Sequence, residues 1–185
     1  MQLLSFRKPY EMLPPVPEEQ MLTHGFAYQH GAFLRDIGVD DVDPVLAQDD
    51  TFVWVGLREP SASFLKKIRD KFALHALAVE DAHLAHQRPK VEVYGQSLFV
   101  VLHTIELVHG DFQVGELHLF VGPRFVLSIC HGTTLNAAHV RQRCEEGPQP
   151  LASGPSVLLY IIMDSVAERS FSLLDRVKMF IKPMP

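Results

Sequence analysis

The sequence predicts a layered α/β domain, a mixed sheet with helices on its faces, and three observations lead there. Helix-period and strand-period segments interleave along the chain. The strand-period segments between Val91 and His131 come as hairpin-like pairs, so part of the sheet is antiparallel. Of the 185 residues, 47% are apolar and 21% charged, which suits a buried core and excludes a disordered chain.

Residues 1–22 hold Pro9, Pro14, Pro15 and Pro17, each of which interrupts a helix or central strand, and are expected to form an extended or disordered leader. A first strand is expected at Gly25–Ile37, where Phe26, Tyr28 and His30 alternate with small or polar residues before the turn-prone Gly38–Asp43. Thr51–Leu57 is the clearest early strand. A helix follows it, capped by Ser61 or Ser63, with Phe64, Leu65, Ile68 and Phe72 on one face and Lys66, Lys67 and Lys71 on the solvated one. A second helix spans His75–His86 and stops before Arg88-Pro89. Val91 to Ile105 reads as two strands around Gly95-Gln96, and Glu116–Val121 with Arg124–His131 as two more around Gly122-Pro123. Leu135–Glu146 is helical, broken by Gly147, Pro148 and Pro150. One long amphipathic helix, Ser156–Lys182, closes the chain with Leu158, Leu159, Ile162, Val166, Phe171, Leu174 and Val177 on its apolar face. The division is thus a leader over 1–22, an α/β domain over 23–155 and a final helix over 156–185.

Function classes fall away in turn. A net charge of −5 with no dense basic run argues against nucleic acid as a partner. The apolar runs Leu98–Leu102 and Val157–Met163 are far shorter than the ~20 residues that cross a bilayer, so the chain itself is expected to be soluble. Cys130 and Cys144 form no CxxC pair, which fits a reducing compartment. P-loop, GxGxxG, GxSxG and HExxH signatures are absent, so no enzyme is expected. His24, His30, His103, His109, His118, His131 and His139 stand singly and read as packed or surface histidines. Strand alternation sends Ser128 and Cys130 to one face and His131 to the other, which dismantles a nucleophile triad there.

The one dense polar cluster is Glu80-Asp81-Ala82-His83-Leu84-Ala85-His86, where helical spacing sets Glu80 beside His83 with Asp81 on the adjoining flank. Carboxylates with an imidazole suit a hard or borderline divalent cation, and one or two carboxylates around a largely hydrated ion describe magnesium. Read bare, the same residues are the wet side of an Ala-rich helix. Asp164 is the second candidate, because it interrupts the apolar run Leu158–Val166, where a carboxylate needs a basic partner or a cation.

At these residues the chain resembles the cytoplasmic domain of the CorA family of magnesium and cobalt channels. The likeness runs from Phe72 through Glu80-Asp81, continues in His86-Gln87-Arg88-Pro89-Lys90-Val91-Glu92, and resumes at Leu158-Leu159-Tyr160-Ile161-Ile162-Met163-Asp164. It covers roughly Thr51 to Val177 in order and spacing. The resemblance implies a three-layer α/β/α sandwich whose last helix begins a long stalk. In the family that stalk leads to two membrane helices and a ring of five subunits. It also implies regulatory Mg2+ or Co2+ sites between neighbouring subunits, built on Glu80, Asp81 and Asp164 with His86 nearby, whose other half is expected to be an aspartate further along the stalk helix than Pro185. Divalent cations and copies of this chain are then the partners, at the cytoplasmic face of the inner membrane. Ending at Pro185, the chain is expected to stop short of the rest of the stalk, both membrane helices and the family's Gly-Met-Asn signature. A ZntB-like zinc transporter domain is the nearest alternative, and a free-standing metal-sensing or interaction domain the next.

Overall fold

The computed structural model describes residues 16–108, 111–146 and 151–181. After a short helix α1 (Glu18–Met21), which buries Met21, strand β1 (Leu22–Gln29) turns into β2 (Ala32–Asp36). The single strand expected at Gly25–Ile37 is therefore a hairpin. Its turn residues His30 and Gly31 both have positive φ, 51° and 78°, the geometry of a primed two-residue turn that matches strand twist. Helix α2 (Val42–Leu46) leads to β3 (Thr51–Arg58), and α3 (Ala62–Phe72) follows with the Phe64 amide donating to Ser61 Oγ at 3.2 Å. Phe64, Leu65, Ile68 and Phe72 are buried, as their spacing predicts.

Helix α4 (Ala76–Leu84) ends two residues earlier than the expected His86, because Ala85 and His86 take left-handed φ values of 51° and 56° that break the helix. Strands β4 (Lys90–Tyr94), β5 (Ser97–Val108), β6 (Asp111–Gly122) and β7 (Phe125–His131) form a meander, and α5 (Ala137–Glu146) and α6 (Pro155–Ile181) complete the chain. The sheet order is β2-β1-β3-β7-β6-β5-β4. Among the described strands, only the β3–β7 pair is parallel.

Strand alternation sorts the core into two. Val53, Val55, Leu57, Phe99, Val101, Leu127 and Ile129 face α3 and α4, packing on Phe64, Ile68, Phe72, Ala78 and Ala82. Phe52, Trp54, Val100, Leu117, Leu119 and Val126 face α5 and α6, packing on Val140, Cys144, Leu158 and Ile162. The result is the three-layer α/β/α sandwich, with a mixed central sheet buried on both faces. Ser128 lies on the second face and accepts a hydrogen bond from Trp54 Nε1 at 3.1 Å. Towards its end α6 leaves the body of the domain, exposing Phe171 (66%) and Leu174 (53%). Among the described residues, no helix is long and apolar enough to cross a membrane. His109, Gly147, Pro148, Pro150, residues 1–15 of the leader and the Val177 side chain lie outside the described residues.

Candidate functional site

Glu80 and Asp81 sit on α4, whose buried residues are Ala78 and Ala82, with Val79 packed beside them. Glu80 is exposed. Asp81 is half-buried and already engaged, because Lys90 Nζ donates to its Oδ2 at 2.6 Å and also lies 3.0 Å from Glu92 Oε2. These bonds, Asp81 first, push the Lys90 ammonium above its ordinary value. The Tyr94 hydroxyl donates to Glu92 at 3.0 Å, so the chain returning through β4 closes an acidic and basic cluster beside α4. His86 is exposed at the corner that follows the helix.

Under that corner lies a buried network that reading the histidines singly missed. Glu116 Oε2 meets His118 Nε2 at 2.8 Å and accepts the Gln87 amide at 3.2 Å. The Gln87 carbonyl faces His103 Nε2 at 2.8 Å. His131 meets Glu59 Oε2 through Nδ1 at 3.0 Å and the Ala82 carbonyl through Nε2 at 2.9 Å, while the Gly132 amide donates to Glu59 Oε1 at 2.7 Å. His118 is fully buried and its ring centroid is 5.2 Å from that of His131. Burial pushes the His118 imidazole down against the pull of Glu116. Burial raises Glu116, but the hydrogen bonds from His118 and Gln87 outweigh it and hold the carboxyl below its ordinary value. One signal for the network was present in the sequence: Glu116 and His118, two apart on a strand, share a face.

Asp164 sits in the opposite layer. Arg143 Nη2 on α5 donates to its Oδ2 at 2.5 Å, with Nη1 reaching Ser165 Oγ at 3.0 Å and Glu168 Oε2 at 3.2 Å. The carboxylate interrupting the apolar run thus has the basic partner that its place demands. The structure brings Glu80 and Asp81 together on one outer face and Asp164 onto the other, with the sheet between them. Among the described residues no group of three His, Cys, Asp or Glu side chains is placed to hold a metal ion. One chain therefore does not bring Glu80, Asp81 and His86 together with Asp164.

Over residues 49–182 the chain matches the family described as "CorA-like Mg2+ transporter protein". It belongs to that family. It is 30% identical over 145 residues to the Bacillus subtilis (strain 168) protein described as "Putative metal ion transporter YfjQ", covering 78% of this chain and 44% of that protein. Identity to the "Cobalt/magnesium transport protein CorA" of Thermotoga maritima is 25% over 151 residues, covering 78% of this chain and 43% of that protein. This CorA-family chain spans less than half the length of either curated relative. Its fold is shared by the full-length CmaX protein, with TM-score 0.71, 19% identity, and 88% of this chain and 50% of that one covered. The soluble domain of CorA from Methanocaldococcus jannaschii shares it at TM-score 0.60 and 14% identity, covering 83% and 60%. So does the ZntB cytoplasmic domain from Vibrio parahaemolyticus, at TM-score 0.62 and 13% identity, covering 86% and 63%. In this CorA-family domain the His86–Glu92 segment that carries the resemblance forms the corner and β4, and supplies Lys90 to Asp81 and the Gln87 backbone to Glu116.

Proposed function

We propose that this chain is the cytosolic regulatory domain of a CorA-type Mg2+/Co2+ transport channel. In this reading Glu80 and Asp81, with His86 nearby, are one half of a divalent-cation site, and Asp164 of a neighbouring copy is the other. The observation that carries it is the placement of these carboxylates on opposite outer layers of one domain. A head-to-tail interface apposes opposite faces of successive copies and closes into a ring, here the ring of five that the resemblance implies. Facing carboxylates repel until a cation lies between them. Lys90 and Arg143 neutralise Asp81 and Asp164 in the meantime, so cation binding competes with two ion pairs and is weak.

Cations shared between copies favour the closed arrangement, and their loss shifts the population toward the open one. The reading assigns the domain sensing and no catalysis. Patch recordings of the full-length parent at graded internal Mg2+ test it. Asp81→Ala is expected to move inhibition to higher Mg2+, whereas an unchanged inhibition curve would leave Asp81 as a partner of Lys90 and nothing more. Inhibition by Zn2+ in place of Mg2+ would favour the ZntB-like alternative.

A further inference from the structure

Lys90 opens β4, and the period of a strand puts Glu92 and Tyr94 on its side of the sheet, the side that α4 covers. The lysine stem lies over the edge of the core, with Nζ 5.5 Å from the centroid of the buried Phe99 ring, so the ammonium reaches α4 on a short tether. There Nζ sits between two carboxylates, 2.6 Å from Asp81 Oδ2 and 3.0 Å from Glu92 Oε2. The Glu92 end is fixed from another direction. Tyr94 donates its hydroxyl to the same Glu92 oxygen at 3.0 Å, and its ring stacks on that of His75, just before α4, with centroids 4.3 Å apart. Lys90 and Asp81 are both half-buried, so salt screens their attraction less than that of an exposed pair. Asp164 is held differently, because Arg143 is a planar fork that spans Asp164, Ser165 and Glu168 at once. Lys90 is a compact point charge on a flexible stem, which makes it the closer counterpart of a small hard cation.

We propose that Lys90 is a tethered rival cation, which sets the divalent threshold at Asp81 and closes that carboxylate to monovalent ions, with Glu92 as its resting place. Its role in a channel rests on the cation-sensing reading given above. The ammonium carries one charge, as Na+ or K+ does, but its attachment to β4 presents it to Asp81 at an effective concentration of about millimolar or above. A monovalent ion brings Asp81 no more charge than Lys90 already supplies, and it must be gathered from solution. A divalent ion brings twice the charge, which suits carboxylates facing each other across a subunit boundary. When it displaces Lys90 from Asp81, the ammonium keeps Glu92, so the exchange leaves no half-buried charge without a partner. The sign of a substitution follows. Removing the basic partner of a carboxylate ordinarily weakens the structure around it, whereas here it frees Asp81 for cations.

The test is a titration of the chain with Mg2+ and, separately, with K+, followed by NMR on the side-chain carboxyl carbon of Asp81, with ionic strength held by tetramethylammonium chloride. Wild type is expected to respond to Mg2+ alone, at about millimolar or above. Lys90→Met is expected to respond at roughly fivefold lower Mg2+, the scale of one screened ion pair, and to gain a response to K+. Lys90→Arg keeps a tethered charge and is expected to stay closed to K+. Wild-type and Lys90→Met titrations that superimpose overturn the proposal, as does a shift to higher Mg2+, the direction that a merely structural lysine predicts. An Asp81 resonance that ignores Mg2+ in every chain overturns it as well. Where Lys90→Met does not fold, Lys90→Gln carries the same expectation with a polar end on the stem. The channel answers a separate question. If Lys90→Met shifts the titration while Asp81→Ala leaves the recordings of the parent unchanged, the rival cation stands and the sensing reading falls. If Asp81→Ala moves the recordings while Lys90→Met titrates as wild type, sensing stands and Lys90 is no rival.

Discussion

Of the two helices over one face of the sheet, α4 meets it through alanines, while α6 over the other face meets it through large aliphatic side chains. Helix α4 turns Ala78 and Ala82 inward, whereas α6 turns Val157, Leu158, Ile161 and Ile162. On the α4 side a sheet histidine meets a helical carbonyl directly, His131 Nε2 with Ala82 at 2.9 Å. Across the sheet the polar contacts of α6 lie at its rim, as in Arg143 with Asp164 and Arg169 with Glu106. Beside α4 the apolar burial of that face comes from its neighbour α3, through Phe64, Leu65, Ile68 and Phe72, and hydrogen bonds from the sheet hold the end of α4. Such a division leaves α6 anchored by its core, and the end of α4 held by a polar network.

The largest expected effect follows from the apolar face. Leu158 is fully buried, so Leu158→Ala should cost about 2–5 kcal/mol, read as a fall in denaturant midpoint at unchanged slope. A smaller loss would show that α6 collapses onto the sheet and that its anchoring is less rigid than the packing implies.

Each face also buries a histidine, and the pair sharpens the comparison. On the α6 side His24 lies against Trp54, ring centroids 4.4 Å apart, with Thr23 Oγ1 at 3.0 Å from its Nδ1, and burial pushes it down to about 4. On the α4 side His118 has Glu116 at 2.8 Å to offset part of the same cost. Below pH ~6.5 the unfolded chain takes up a proton that native His24 refuses until about 4, so the unfolded state binds more protons and stability falls as the pH falls through this window. The loss from His24 is on the order of 3 kcal/mol, and His24→Phe should flatten most of the slope in urea midpoints between these pH values, leaving the smaller contribution of His118.

How much of this was legible depended on how far apart the partners lie in sequence. Helix α3 announced itself through Phe64, Leu65, Ile68, Phe72 and the Ser61 cap, all within one segment. The β1–β2 hairpin did not, because alternation runs on through His30-Gly31, which lacks the Asn-Gly or Asp-Gly of the common primed turn. Glu80 and Asp81 were visible as helix neighbours, and Asp164 as a carboxylate in want of a partner, but Arg143 is 21 residues upstream on another helix. His131 looked solitary because Ala82 and Glu59 lie 49 and 72 residues away, and only the β3–β7 parallel pairing and the seating of α4 bring them in.

Overpacking α4 is expected to act less on stability and more on the network. Ala82→Leu adds volume where an alanine seats the helix and should cost about 1–3 kcal/mol. The same displacement should lift the Ala82 carbonyl from His131, so amide protection at Gln87 drops by more than the global loss explains. If Gln87 protection tracks global stability alone, the alanines are not what brings the backbone to the histidine.

The smallest effect is expected at Asp164, and its smallness is informative. The carboxylate is 35% exposed and its Arg143 partner 28%, so solvent screens their ion pair and Asp164→Asn should change the stability of this chain by about 1 kcal/mol or less. Arg143 also keeps Glu168 and Ser165 as acceptors, which softens the loss further. The same substitution in the full-length parent removes the only carboxylate that this layer contributes to the proposed inter-subunit site. There it should weaken inhibition by internal Mg2+ as strongly as Asp81→Ala does on the opposite face. Equal effects in the channel with almost none in the isolated fold would mark Asp164 as a residue kept for what faces it across the interface. A loss of several kcal/mol in the isolated chain would instead make the Arg143 pair a structural element of the α5–α6 layer, and the comparison of the two faces would have to be redrawn around it.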